Sequence, residues 1–148
     1  MWPVAIHFSS VMPTNVPAPK PSPQPNMLIG VSTYLNAREM AKIGLLYLHD
    51  GSWDGKRILP EGWVQRSWTP QPLEGLPSGE LSYGLGWWIA DYGGHDAFFA
   101  AGHGGQTITV VPDLDLVVVI AANPQSPGEW QRFRRVIPDH VVPAITEP

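Results

Sequence analysis

The densest concentration of chemically unusual residues is Ala101-Gly102-His103-Gly104-Gly105-Gln106, a lone imidazole among glycines in otherwise strand-like sequence. Glycine inside a strand marks a bulge or a place where a ligand comes close to the backbone, so this segment can border a bound substrate. On spacing alone, a glycine-rich bend carrying a surface histidine is the alternative. Other side chains offer less chemistry. Cys is absent, which removes disulfides, thiolate metal sites and cysteine nucleophiles together. The histidines His7, His49, His95, His103 and His140 show no H-E-x-x-H spacing, and His95 with His103 would need a third ligand, so no metal site is expected. No G-x-G-x-x-G follows a strand and opens a helix; Gly102 to Gly105 lie between two strands, the wrong context for a nucleotide, and no cofactor is expected. Tryptophans could line a sugar-binding surface, but Trp53, Trp63 and Trp68 flank helices and are expected in the core. Trp87-Trp88 are successive strand residues and so face opposite sides, one of them toward the site or a partner.

The elements that must position these residues are legible from pattern. Asn36 followed by Glu39 forms a capping box, and Ala37 to Leu48 carries apolar residues at helical spacing with Gly51 as the stop. Met40, Ile43, Gly44, Tyr47 and Leu48 share one face, and Ala41, Leu45 and Leu46 widen it, so a largely buried helix is expected. Asp54-Gly55 predicts a turn, and Pro60-Glu61 opens a short helix that ends before Thr69-Pro70. Gln71 to Glu80 reads as a loop. Strand texture follows at Leu81 to Ile89, His95 to Ala101, Gln106 to Val111 and Leu116 to Ala122. Gly93-Gly94 and Pro112-Asp113 allow only tight reversals, whereas parallel pairing needs long crossovers, so the sheet is predicted to be antiparallel. Leu116 to Ala122 is apolar at consecutive positions, which predicts cover on both faces, with Glu129 to Val136 as a closing helix.

Composition bounds the whole. The chain has 148 residues, 43% of them hydrophobic, with 9 basic and 13 acidic side chains and a formal net charge of -4, which suits one globular unit. An acidic chain with three lysines has no electrostatic footprint for nucleic acid. Its longest apolar run, Leu116 to Ala122, is far short of the roughly 18 residues a membrane span needs. No basic n-region precedes the apolar start Met1 to Phe8, so no export signal is recognised and the compartment stays open. Pro17, Pro19, Pro21, Pro23 and Pro25 alternate with other residues and predict a polyproline-like lead, either a stiff spacer or an SH3 or WW ligand. Residues 1–26 are thus expected to be a disordered lead and 27–148 the packed domain.

Several blocks together carry a family resemblance. Ser32-Thr33-Tyr34-Leu35-Asn36-Ala37-Arg38-Glu39-Met40-Ala41-Lys42-Ile43-Gly44-Leu45-Leu46-Tyr47-Leu48 and Gly51-Ser52-Trp53-Asp54-Gly55-Lys56-Arg57-Ile58-Leu59-Pro60 come first. Tyr83-Gly84-Leu85-Gly86-Trp87-Trp88, Gly102-His103-Gly104-Gly105-Gln106 and Val111-Pro112-Asp113-Leu114-Asp115-Leu116-Val117-Val118-Val119 follow. In that order and spacing the chain resembles the C-terminal part of class C β-lactamase-like serine hydrolases, a group that includes esterases and D-alanyl peptidases. The resemblance runs from about Met27 to the C-terminus. It implies an α+β fold, an antiparallel β-sheet flanked by helices, forming the C-terminal portion of a β-lactamase/transpeptidase-like domain.

For chemistry, the resemblance implies that His103-Gly104-Gly105 stands where the family has a K-T-G or H-x-G strand. His103 would contact or polarise near the acyl site, Gly104 and Gly105 would let substrate approach, and the Gln106 backbone N–H would be one oxyanion donor. The family's nucleophile lies in an S-x-x-K motif, but Lys20, Lys42 and Lys56 are preceded at three residues' distance by Pro17, Glu39 and Trp53. No S-x-x-K is present, and Tyr34-Leu35-Asn36 spells the family's Y-x-N only at a helix start. The expectation is a C-terminal fragment of a hydrolase for small-molecule esters, amides or β-lactams, inactive alone. A non-catalytic ligand- or protein-binding module built on the same fold is the alternative. In the family the last strand pairs with N-terminal strands, so Leu116 to Ala122 is expected to present an open edge and to drive self-association, with a folded-back Val4 to Phe8 as the competing outcome.

Overall fold

The computed structural model describes residues 8–9, 35–71, 82–102, 105–122 and 135–146. Helix α1, Ala37–Leu48, begins as expected: Asn36 Oδ1 accepts the Glu39 N–H at 3.0 Å and Glu39 Oε2 accepts the Asn36 N–H at 2.8 Å. It ends where Gly51, at φ +77°, donates its N–H back to the Leu46 carbonyl at 2.7 Å. Strands β2 (Ser52–Trp53) and β3 (Lys56–Arg57) form a hairpin across Asp54-Gly55. Both turn residues have positive φ, 47° and 72°, the twist that matches flanking strands. The short helix α2 follows at Trp63–Ser67.

Strands β4 (Ser82–Tyr83), β5 (Trp88–Asp91), β6 (Asp96–Gly102), β7 (Gln106–Val111) and β8 (Leu116–Ala121) form one sheet with β1 (Phe8–Ser9), in the order β1-β8-β7-β6-β5-β4. From β4 to β8 every neighbouring pair is antiparallel, as the short connections require. The sequence reading needs three corrections. Leu81 to Ile89 is not one strand: Ser82 pairs with Ile89 and Tyr83 with Trp88. The chain reverses because Gly86 takes φ +92° and the Gly84 N–H bonds to the Trp87 carbonyl at 2.7 Å. Second, β1 joins the sheet in parallel, with Phe8 beside Ile120 and Ser9 beside Ala121. Third, helical structure does not close at Val136; residues 129–134 lie outside the described set, while a π-helical turn, Ile137–Val141, leads directly into α3, Val142–Thr146. Residues 135–136 are already helical ahead of this turn, and the Val142 N–H reaches five residues back to the Ile137 carbonyl.

Both faces of the sheet are covered, which is what the unbroken apolar run of β8 anticipates. Leu116, Val118 and Ile120 pack with Phe99, Val111, Ile137, Val141 and Val142 on one side. Val117 and Val119 pack with Phe98, Ile108, Val110, Trp87 and Met40 on the other, under α1. Each fully buried side chain of this kind contributes roughly 1.5–3 kcal/mol, an upper estimate because unfolded chains bury some of this surface already. The helix approaches closely: a Cβ on Gly44 would lie 2.5 Å from Val117 Cγ1. Yet α1 is less buried than its wide apolar arc suggests. Met40 and Gly44 are buried, whereas Ile43, Leu45, Leu46, Tyr47 and Leu48 are half-buried, because a helix lying on a sheet buries one stripe only.

Of the three tryptophans expected in the core, Trp68 packs against it, Trp53 is half-buried and belongs to neither core cluster, and Trp63 is exposed. Trp87 is buried with the α1-side core while Trp88 packs against the opposite core, so the adjacent pair does straddle the sheet. Trp68 stacks on Phe98, with centroids 5.1 Å apart and planes 24° apart. Trp63 is instead 37% exposed on α2, a helix too short to turn every bulky residue inward. Residues 1–7 and 10–34 lie outside the described set, and with them nearly all of the expected lead and its boundary at residue 26. The same holds for residues 72–81, which contain most of the expected loop.

Candidate functional site

The candidate site lies at one end of the β6–β7 hairpin. The ladder runs from Phe98↔Val110 through Ala100↔Ile108 to Gly102↔Gln106, leaving residues 103–105 as the connection. His103 and Gly104 fall outside the described residues; Gly105 and Gln106 are placed. Gly105 is buried at φ +80°, a conformation that costs an L-residue strain, so its glycine is required by the backbone. Gly102 has another role. Among the described residues a Cβ there would meet only Gln106, at 3.7 Å and farther, so none of them forbids a side chain, and the residue is exposed.

Strand alternation assigns the faces. Ile108 and Val110 belong to the α1-side core, so Gln106, two residues earlier, shares that side and is half-buried. Thr107 points to the other side, in register with Ala101 and Ile120. It is 4% exposed, and its Oγ1 is the buried side-chain oxygen that, among the described residues, lacks a hydrogen-bond partner. Sequence reasoning passed over Thr107; the available signal was a hydroxyl directly after the glycine-rich segment, on a strand that carries a second one at Thr109.

The other candidates separate from this site. His95 lies beside Asp96, at the far end of β6 from Gly102, and seven residues of strand put roughly 20 Å between those ends. Its Nδ1 stands 2.5 Å from Asp113 Oδ2. Among the described residues no three His, Cys, Asp or Glu side chains are placed to hold a metal ion. Asn36 is occupied as the α1 cap, which is the role its position predicts, and Tyr34 lies outside the described set. What this hairpin end can offer a reaction is backbone: a glycine-lined approach and amide N–H groups of the kind that stabilise an oxyanion.

The pattern of the Beta-lactamase family matches residues 8–139, nearly the whole chain and all of the sheet. No curated protein matches it. Among solved structures, 26 chains match. One is a protein from Bacillus anthracis provisionally named 6-aminohexanoate-dimer hydrolase, which is 28% identical to this chain with a TM-score of 0.55. The alignment covers 72% of this chain and 29% of the Bacillus anthracis chain, so the sequence spans under a third of that neighbour's length. Among the described residues no helix is long and apolar enough to cross a membrane.

Proposed function

The chain belongs to the Beta-lactamase family, and on that premise we propose that it supplies the sheet side of a serine-hydrolase acyl site without supplying the nucleophile. In this reading His103, Gly104 and Gly105 border the substrate and the Gln106 backbone N–H donates to the oxyanion, while the serine, its lysine and a second oxyanion donor come from elsewhere. The observation that carries it is the Gly102↔Gln106 pair, which ends the ladder and leaves a three-residue, glycine-bearing connection where the family has its substrate-bordering motif. The absence of S-x-x-K supports chemical silence of the chain by itself, because none of its serines is followed three residues later by a lysine to take the proton. The hydrolase name of the Bacillus anthracis neighbour supports a small-molecule ester, amide or β-lactam as the substrate class.

Two measurements test this. Intact-mass spectrometry of the chain after incubation with a fluorophosphonate or a penicillin should show no adduct; stoichiometric labelling of any serine would refute the silence. Grafted in place of the matching segment of the Bacillus anthracis neighbour, the chain should restore serine labelling. Gln106→Pro, which removes the N–H, should then abolish turnover while Gln106→Ala keeps it; equal activity of the two variants would remove Gln106 from the site. We also propose that the chain self-associates through the edge of β8.

A further inference from the structure

Two aspartates of the chain precede glycine, Asp50-Gly51 and Asp54-Gly55, and no asparagine does. A glycine has no Cβ to shield its backbone nitrogen, which can attack the Cγ of the aspartate before it. One water leaves and a five-membered succinimide closes. Water then reopens the ring at either carbonyl, returning aspartate or leaving isoaspartate, in which the main chain runs through the side-chain methylene. Closure needs the glycine nitrogen on the same side of the Cα–C bond as Cβ. Both aspartates have positive φ, 49° at Asp50 and 47° at Asp54. In that region ψ is about +30 to +60°, which turns the following nitrogen away from Cβ, so neither pair reacts without rotating its peptide.

What opposes that rotation differs between the two. Gly51 is buried and donates its N–H to the Leu46 carbonyl at 2.7 Å. The Asp50 carbonyl accepts from Arg57 Nη1 at 2.8 Å, and Asp50 Oδ2 lies 3.3 Å from Arg57 Nη2. Turning the peptide between residues 50 and 51 breaks the bond to Leu46 and the one to Arg57 together. At Asp54-Gly55 both residues are exposed, and among the described residues no hydrogen bond holds the Gly55 N–H or the Asp54 carboxylate. A Cβ on Gly55 would meet no described atom within 4 Å. Its conformation rests on the pairs Trp53↔Lys56 and Ser52↔Arg57. A two-stranded hairpin is marginal by itself, and short exposed elements of this kind open locally at little cost.

We propose that Asp54-Gly55 is a site of spontaneous isoaspartate formation in the folded protein, reached by local opening of the β2–β3 hairpin, while Asp50-Gly51 is held unreactive by the end of α1 and by Arg57. The other aspartates precede Tyr92, Ala97, Leu114, Leu116 and His140, whose side chains hinder the attacking nitrogen. The modification reaches beyond the turn. An added main-chain methylene does not fit a two-residue reversal, so the pairing of Ser52 with Arg57 is lost. The Arg57 guanidinium then leaves the Asp50 and Leu59 carbonyls, which Nη1 meets at 2.8 and 3.4 Å. Conversion at Asp54 thereby loosens the C-terminal end of α1 and removes one of the two restraints on Asp50.

Incubating the full chain at neutral pH in water enriched in heavy oxygen tests this, because each opening of a succinimide adds one labelled oxygen. Peptide mapping with electron-transfer fragmentation then separates isoaspartate from aspartate at each site. Label and isoaspartate should accumulate at Asp54 several-fold faster than at Asp50 in the folded chain, and the two rates should converge in concentrated urea. Equal rates in the folded chain, Asp50 ahead of Asp54, or no label at Asp54 until urea is added would each overturn the proposal. Arg57→Ala should speed labelling at Asp50 and leave Asp54 ahead; an unchanged Asp50 would remove Arg57 from its protection. Hydrogen exchange of the Gly51 amide in chains already converted at Asp54 reads the same restraint without a substitution: faster exchange supports the loosening of α1, and unchanged exchange opposes it.

Discussion

His95 and Asp113, eighteen residues apart in sequence, meet with Nδ1 2.5 Å from Oδ2 and so join the β5–β6 turn to the 3-10 turn Pro112–Leu114 that precedes β8. The contact fixes the two reversals at one end of the sheet relative to each other. Their side chains are 24% and 53% exposed, so water and salt screen the pair. Asp113→Ala is expected to cost about 0.5–1 kcal/mol in urea unfolding, with a smaller loss in high salt. A loss unchanged by 1 M salt would show that the contact acts through packing and not charge.

Gly44 and Gly84 are both crowded, but by different atoms. Alanine at position 44 would gain up to about 1 kcal/mol of helix propensity and yet press on side-chain carbons of Val117 at 2.5 Å and Ile108 at 3.1 Å. Alanine at position 84 would set its Cβ 2.3 Å from the Ser67 carbonyl oxygen, a backbone atom that also accepts the Leu85 N–H. Gly44→Ala is expected to destabilise by roughly 1–3 kcal/mol and Gly84→Ala by more, since a backbone neighbour has no rotamer to change. Denaturant midpoints in the reverse order would contradict this account.

Thr107 carries a buried hydroxyl without a partner among the described residues. Replacing it with valine removes a desolvated polar group while conserving shape. Thr107→Val should therefore raise the unfolding free energy, by up to roughly 1–3 kcal/mol. A fall in thermal midpoint would show that the hydroxyl has a partner in the folded protein.

The capping box of α1 supports the layer above β7 and β8. Asn36→Ala should cost about 1 kcal/mol, and Glu39→Gln less, because the amide oxygen can still accept the Asn36 N–H. The two losses should not add, since each side chain serves the same helix end. Chemical denaturation of the single and double variants checks this.

Local chemistry was readable without coordinates wherever nearest neighbours in the chain decide the outcome. Asn36 and Glu39 sit three apart and satisfy each other, so the start of α1 follows from two residue types. Asp54-Gly55 made the β2–β3 turn because both residues tolerate positive φ. The apolar run of β8 implied cover on both faces, and the glycine-rich segment after β6 marked where a backbone could be approached. Contacts that depend on distant residues were not readable. The reversal within Leu81 to Ile89, by contrast, is local, and its signal, Gly84 and Gly86 inside a strand-like stretch, lay in the sequence: Gly86 at φ +92° turns the chain so that Tyr83 pairs with Trp88. Nothing in residues 95 and 113 taken singly announces their contact, because the sheet register brings them together. The half-burial of α1 likewise follows from lying on a flat sheet, which hides one stripe of a helix whatever the width of its apolar arc. Sequence determines which conformations each segment prefers; that Phe8–Ser9 meets β8 at Ile120 and Ala121 is set by the packed sheet, where hydrogen-bonding partners are chosen across space.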